Sequence, residues 1–275
     1  MIAQGLAWAE RGLKKLLYSL PETVSITILR TYWTIRRLMF QGLVWYRYNR
    51  QYDAPIRPFD LYWIDPDKIE YVSKNSPGSR KWPLVAGGDW DQTLYPFEEK
   101  SVYSSFQAAI QNDIPWRETA EFDYYQSKYD DPGEAERRIG IVENDNSSVE
   151  SLEDVLLKYE LIYQNIAENG YRTQRELRAD DSLPPIPTHF ANVFPEYDEI
   201  TVDIGRDGTL IWRNGQHRLT IAKLLEVDAV PVRVLLRHEQ WQRTRDKIWN
   251  DPTTVSDDLR GHPDIERVLE YRARR

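Results

Sequence analysis

The chain contains no cysteine. Disulfides, thiolate metal sites and thiol nucleophiles are therefore excluded, and stability must come from packing. Histidine and methionine are also scarce, at 4 and 2 of 275 residues. The start lacks the basic head, apolar run and cleavage site of a secretory signal, in that order. It also lacks a clean membrane span. Residues 23–48 are dense in Ile, Leu, Val, Tyr and Trp, but Arg30, Arg36 and Arg37 interrupt them. Each would cost about 2.5–3.5 kcal/mol at a bilayer centre. A cytoplasmic protein is expected, with a peripheral place at the inner membrane face as one option. The length suffices for a sizeable core in one large or two small domains.

Net charge is −8, unevenly spread. Residues 1–60 hold nine Lys/Arg against four acids, a local +5, which leaves −13 on the remainder. A protein that coats DNA needs a basic face, so a general DNA-coating role is not expected. Residues 2–19 read as an amphipathic helix stopped by Pro21, and 23–48 as a second. Two readings of this segment compete. One is a basic, aromatic helix lying in a membrane interface, on an anionic surface. The other is a helical hairpin packed on the body or on a protein partner.

The most informative stretch is 198–236. Ile200, Val202 and Ile204 alternate with Thr201 and Asp203, the period of a half-buried strand. Arg206-Asp207-Gly208 is turn chemistry, and Leu210 and Trp212 alternate in the returning strand. Asn214-Gly215 ends it. From Gln216 the period becomes helical, with Leu219, Ala222 and Leu225 on one face. Val230, Val232, Val234 and Leu236 alternate again. Gly215, Gln216, His217 and Arg218 thus sit at a helix N-terminus, where unpaired N–H groups and the helix dipole attract anions. Arg218 suits a phosphate in charge and geometry. The plainer alternative is a helix-capping turn whose arginine pairs with a structural carboxylate. His217 is a candidate for acid–base work because its charge changes near neutral pH.

This block resembles the core of the ParB/sulfiredoxin superfamily. The resemblance rests on the hairpin, the Gly-x-His-Arg turn of Gly215–Arg218, its helix and the Val230-Pro231-Val232 strand. It extends to a preceding helix ending at Asn165-Ile166-Ala167-Glu168-Asn169-Gly170, and more weakly to 59–72. It implies an α+β fold, a small mixed sheet with helices, and a turn that cradles nucleotide phosphates. The members that reduce sulfinic acids use a cysteine within the turn; Gln216 stands there, so that chemistry is excluded. The chromosome-partitioning members carry a helix-turn-helix domain and a dimerisation tail after the core, for which residues 239–275 are too few. The turn resembles that of archaeal free-serine kinases, although Arg213-Asn214 replaces its acidic start. The resemblance also brings Glu168 near a nucleotide; a solvated helix acid is the alternative.

Gly87-Gly88-Asp89-Trp90-Asp91 is a second candidate. Two glycines permit close approach to a ligand. Asp89 and Asp91 would point the same way from an extended segment and are candidates for holding Mg²⁺ or accepting a proton in phosphoryl transfer. The alternative is a glycine turn with solvated acids and a core tryptophan. Trp116, Phe122, Tyr124, Tyr125 and Tyr129 are candidates for stacking a base, or for ordinary core.

The expected organisation is an N-terminal helical segment (1–50), a linker (51–58), the core domain (59–238, with a helical insertion near 95–150) and a C-terminal helical extension (239–275). The expected function is nucleotide binding, with ATP or CTP and Mg²⁺. Phosphoryl transfer to a small hydroxylated acceptor would use Asp89, Asp91 and His217, with Asn214–Arg218 on the nucleotide. The alternatives are a non-catalytic, nucleotide-responsive module with a membrane- or partner-binding N-terminal helix, and a DNA-binding or nuclease-like protein.

Overall fold

Five successive residues, Ile200–Ile204, are all buried, including Thr201 and Asp203. The alternation predicts a half-buried strand. The strand lies inside the sheet, paired with a strand on either side, and its Asp203 face is covered by Ser76 and Arg213. The computed structural model describes residues 22–77, 84–112, 114–130, 152–179 and 195–274. The amphipathic helix expected at 2–19 lies outside them. Among the described residues there are seven strands and eight helices, an α+β arrangement.

The strands are β1 (Leu61–Ile64), β2 (Tyr71–Ser73), β3 (Val85–Ala86), β4 (Leu94–Pro96), β5 (Ile200–Ile204), β6 (Leu210–Asn214) and β7 (Val230–His238). Their order is β1-β7-β5-β6-β2-β4, with β3 beside the end of β7. The β5–β6 hairpin is antiparallel, β7 runs parallel to β5, and β2 runs parallel to β6. The sheet is therefore mixed. The helices are α1 (Glu22–Val44, continued by a π-turn over Trp45–Asn49), α2 (Ser101–Gln111), α3 (Ala120–Asp130), α4 (Leu152–Asn169), α5 (Gln174–Ala179), α6 (Gln216–Leu224), α7 (Glu239–Asn250) and α8 (Pro263–Ala273). No helix among the described residues is long and apolar enough to cross a membrane.

Helix α6 places Leu219 and Ala222 in the main core, with the sheet residues Ile200, Val202 and Val232. Its Ile221 joins Val102 and Phe106 of α2 and Tyr159 and Ile166 of α4 in a second cluster. Each such large side chain contributes about 1.5–3 kcal/mol on burial. One helix thereby fixes the sheet and the helical layer to each other, and its N-terminus sits where they meet.

The C-terminal helices are part of this body. Trp241, Ile248, Ile265 and Val268 lie in the main core. The fully buried Asp264 accepts two bonds from Arg237 of β7 (2.7 and 2.9 Å) and one from the Trp241 indole (2.9 Å). Arg245 lies 3.1 Å away. These cations hold the Asp264 carboxyl far below the usual carboxylate range, although burial opposes that. Residues 51–58, expected as a linker, are also bound in: Ala54 and Ile56 are buried, and the Ala54 N–H donates to Asp246.

Candidate functional site

Strand β6 ends at Asn214, and the chain must reverse at once to start α6. Gly215 does this at φ +86°. A Cβ there would stand 3.1 Å from the backbone of Ile200, so a side chain is opposed both by the left-handed conformation and by the neighbouring strand. No side chain caps the N-terminus of α6. The first N–H groups of the helix have no partner one turn earlier, and here Asn214 is exposed and Gln216 and His217 are half-buried.

Residues far away in sequence complete this locality. The His217 ring lies against Tyr159 of α4, with centroids 4.2 Å apart, and near Phe106 of α2. Its Nε2 is 3.3 Å from Oε1 of Glu121, in the first turn of α3. Glu121 is buried; its other carboxylate oxygen accepts from the Ser101 hydroxyl (3.4 Å), and its backbone N–H donates to Ser105 (3.0 Å). Lys100, just before α2, places its ammonium 4.4 Å from the centre of the Trp212 ring. Burial pushes the Lys100 amine below its ordinary range, while the charge of Glu121 pulls it back up. A cation, an imidazole–carboxylate pair and a bare helix end thus share one locality.

Arg218 does not face that locality. Its guanidinium turns into the body, donates to the Asp198 carbonyl and to the Tyr171 hydroxyl (3.4 Å), and lies 3.6 Å from Glu199. Burial pushes the Glu199 carboxyl up to about 7, despite a 2.6 Å bond from the Gln174 N–H and the attraction of Arg218. Burial likewise raises Tyr171 to about 12. Arg213, near the end of β6, lies 3.2 Å from the buried Asp203 and also bonds Ser76.

Asp89 and Asp91 lie elsewhere and do not act as a parallel pair. Residues 89–92 form a turn, with the Gln92 N–H donating to the Asp89 carbonyl, so the two-residue period of extended chain does not apply. Asp91 points inward and Asp89 outward. Both are bound by Arg206 of the β5–β6 turn: its guanidinium reaches Asp89 at 2.9 Å and Asp91 at 2.8 Å, and its backbone N–H donates to Asp91 at 2.7 Å. Burial works against ionisation of Asp91, but these bonds from Arg206 overcome it and hold the carboxyl below its ordinary range. The β5–β6 turn is at the opposite end of the hairpin from Gly215. β6 runs five residues between the ends, four steps that span roughly 13 Å. The two aspartates therefore do not fit a Mg²⁺ site serving the α6 turn, because oxygen ligands to that ion stand at about 2.0–2.1 Å. Among the described residues, no three His, Cys, Asp or Glu side chains are grouped closely enough to hold a metal ion.

Of the other candidates, Glu168 is exposed at the end of α4, as a solvated acid. Trp116 packs edge-on against Phe106 in the second core cluster, and Tyr124 is exposed. Sequence reasoning missed Lys100 and Glu121. Thr119, whose hydroxyl accepts from the Phe122 N–H, marks the start of α3. Nothing local links Glu121 to a histidine 96 positions later. Compared with models of protein families, with curated proteins and with solved structures, the chain matches none.

Proposed function

We propose that this chain is a nucleotide-binding protein built on a ParB/sulfiredoxin-like core, with the nucleotide's phosphates seated on the N-terminal turn of α6. The observation that carries the reading is the uncapped helix end behind left-handed Gly215, with Lys100 and His217 beside it. Bare N–H groups and a positive dipole favour an anion. Lys100 supplies the mobile charge expected of Arg218. Asn214, Gly215, Gln216 and His217 form the phosphate seat, and Arg218 braces it from behind. ATP and CTP are the ligands to test first, each with Mg²⁺. In titration calorimetry, replacing Lys100 or His217 with alanine should weaken triphosphate binding about tenfold, the worth of one charge-assisted hydrogen bond. Failure of the wild-type protein to bind any triphosphate would overturn the proposal.

A second reading, phosphoryl transfer to a small hydroxylated acceptor, is favoured by the Glu121–His217 pair. Its carboxylate would take the acceptor's proton through the imidazole, while the terminal phosphoryl group passes to the acceptor oxygen and the nucleoside diphosphate leaves. Glu121→Gln should then abolish turnover and spare affinity. Unchanged turnover would remove Glu121 from this role.

A further inference from the structure

Helix α1 has two apolar faces, and among the described residues only one is packed against the body. Val44 and Tyr48 are buried against Ile56 and Leu84, with Phe40 at the edge of the cluster. Phe40 also meets Phe59 edge-on, and the Tyr48 hydroxyl accepts from the Leu84 N–H. The helix is thereby anchored to the protein. Opposite, Ile35, Leu38, Met39 and Leu43 recur at steps of three and four, which keeps them on one face, and Trp45 and Tyr46 continue the patch. Their exposures run from 51% at Ile35 to 69% at Met39. A contiguous apolar patch of this kind marks an interaction surface.

Charge indicates the occupant. From Thr23 to Tyr52 the chain holds five arginines and no aspartate or glutamate, within a protein of net charge −8. Arg36, Arg47 and Arg50 are exposed, and Arg50 lies over the ring of Tyr46. An apolar stripe bordered by arginines, with Trp and Tyr at one end, matches the boundary between lipid headgroups and acyl chains. The acidic remainder would be repelled by the same surface, which orients the protein on it. We propose that α1 is an in-plane anchor which seats the protein on an anionic lipid surface through Ile35, Leu38, Met39, Leu43, Trp45 and Tyr46.

The test is co-sedimentation of the full chain with vesicles of phosphatidylcholine alone and of phosphatidylcholine with phosphatidylglycerol. The wild-type protein should pellet with the anionic vesicles. Leu38→Glu with Leu43→Glu, and separately Arg47→Glu with Arg50→Glu, should each lower partitioning at least about tenfold. All four positions are exposed, so both variants should retain the wild-type melting transition. Wild-type protein that stays in the supernatant would overturn the proposal, as would variants that pellet like wild type or equal binding to both vesicle types. A loss of self-association in the leucine variant, without vesicle binding by wild type, would assign the face to a second copy of the chain instead.

Discussion

Glu199 offers a direct check on the electrostatics behind the α6 turn. Its carboxyl is pushed from 4.5 in the unfolded chain up to about 7 in the folded one, chiefly by burial. The folded protein therefore holds this proton more tightly than the unfolded chain does. Stability rises as pH falls through the interval between the two values, and the ionised group costs stability above it. A difference of about 2.5 pH units corresponds to about 3 kcal/mol at 1.36 kcal/mol per unit. Glu199→Gln keeps an acceptor for the Gln174 N–H and cannot ionise. Wild type and variant should thus be close in stability near pH ~4.5 and diverge by about 3 kcal/mol, in favour of the variant, by pH ~8. Urea denaturation of both proteins across this range measures the difference. Comparing the two cancels the contribution of Asp203, whose carboxyl burial also raises, to about 6. A wild-type-minus-variant difference that stays flat would refute the reasoning. It would mean that Arg218, 3.6 Å away, already compensates the buried charge in full.

Two further outcomes test the architecture. Asp264→Ala leaves Arg237 and Arg245 buried without their shared carboxylate and should cost about 3–5 kcal/mol, read as a lowered melting temperature. Asp91→Ala removes the Arg206 clamp but acts at the far end of the hairpin; nucleotide affinity in calorimetry should stay within about twofold of wild type, since sites more than ~7–10 Å apart without shared partners act nearly independently.

Much of the local structure was legible. The hairpin, the glycine turn, the helix after it and the Val230–Leu236 strand appear where alternation and turn residues put them, because each is a short-range consequence of pleat or helical period. Helical character within 95–150 and 239–275 was legible as well. The readings that changed concern direction and company. Alternation puts Asp203 on the outward side of a half-buried strand, but Ser76 and Arg213 cover that face and bury it. An extended segment would make Asp89 and Asp91 a parallel pair, but a turn separates their directions and Arg206, more than a hundred positions later, binds them both.

The sequence by itself determined that thiol chemistry is absent and that a glycine turn opens a helix after a hairpin. It also determined that the first sixty residues carry a net positive charge, because acids are few there. These follow from composition and from forces acting over a few residues. Tertiary structure alone decided that Arg218 turns inward to Asp198 and Glu199, and that Lys100 and Glu121 come to the turn beside His217. It likewise decided which apolar face of α1 is exposed among the described residues. A side chain's partner is set by whichever distant element packs against it, and residue spacing along the chain carries no record of that contact.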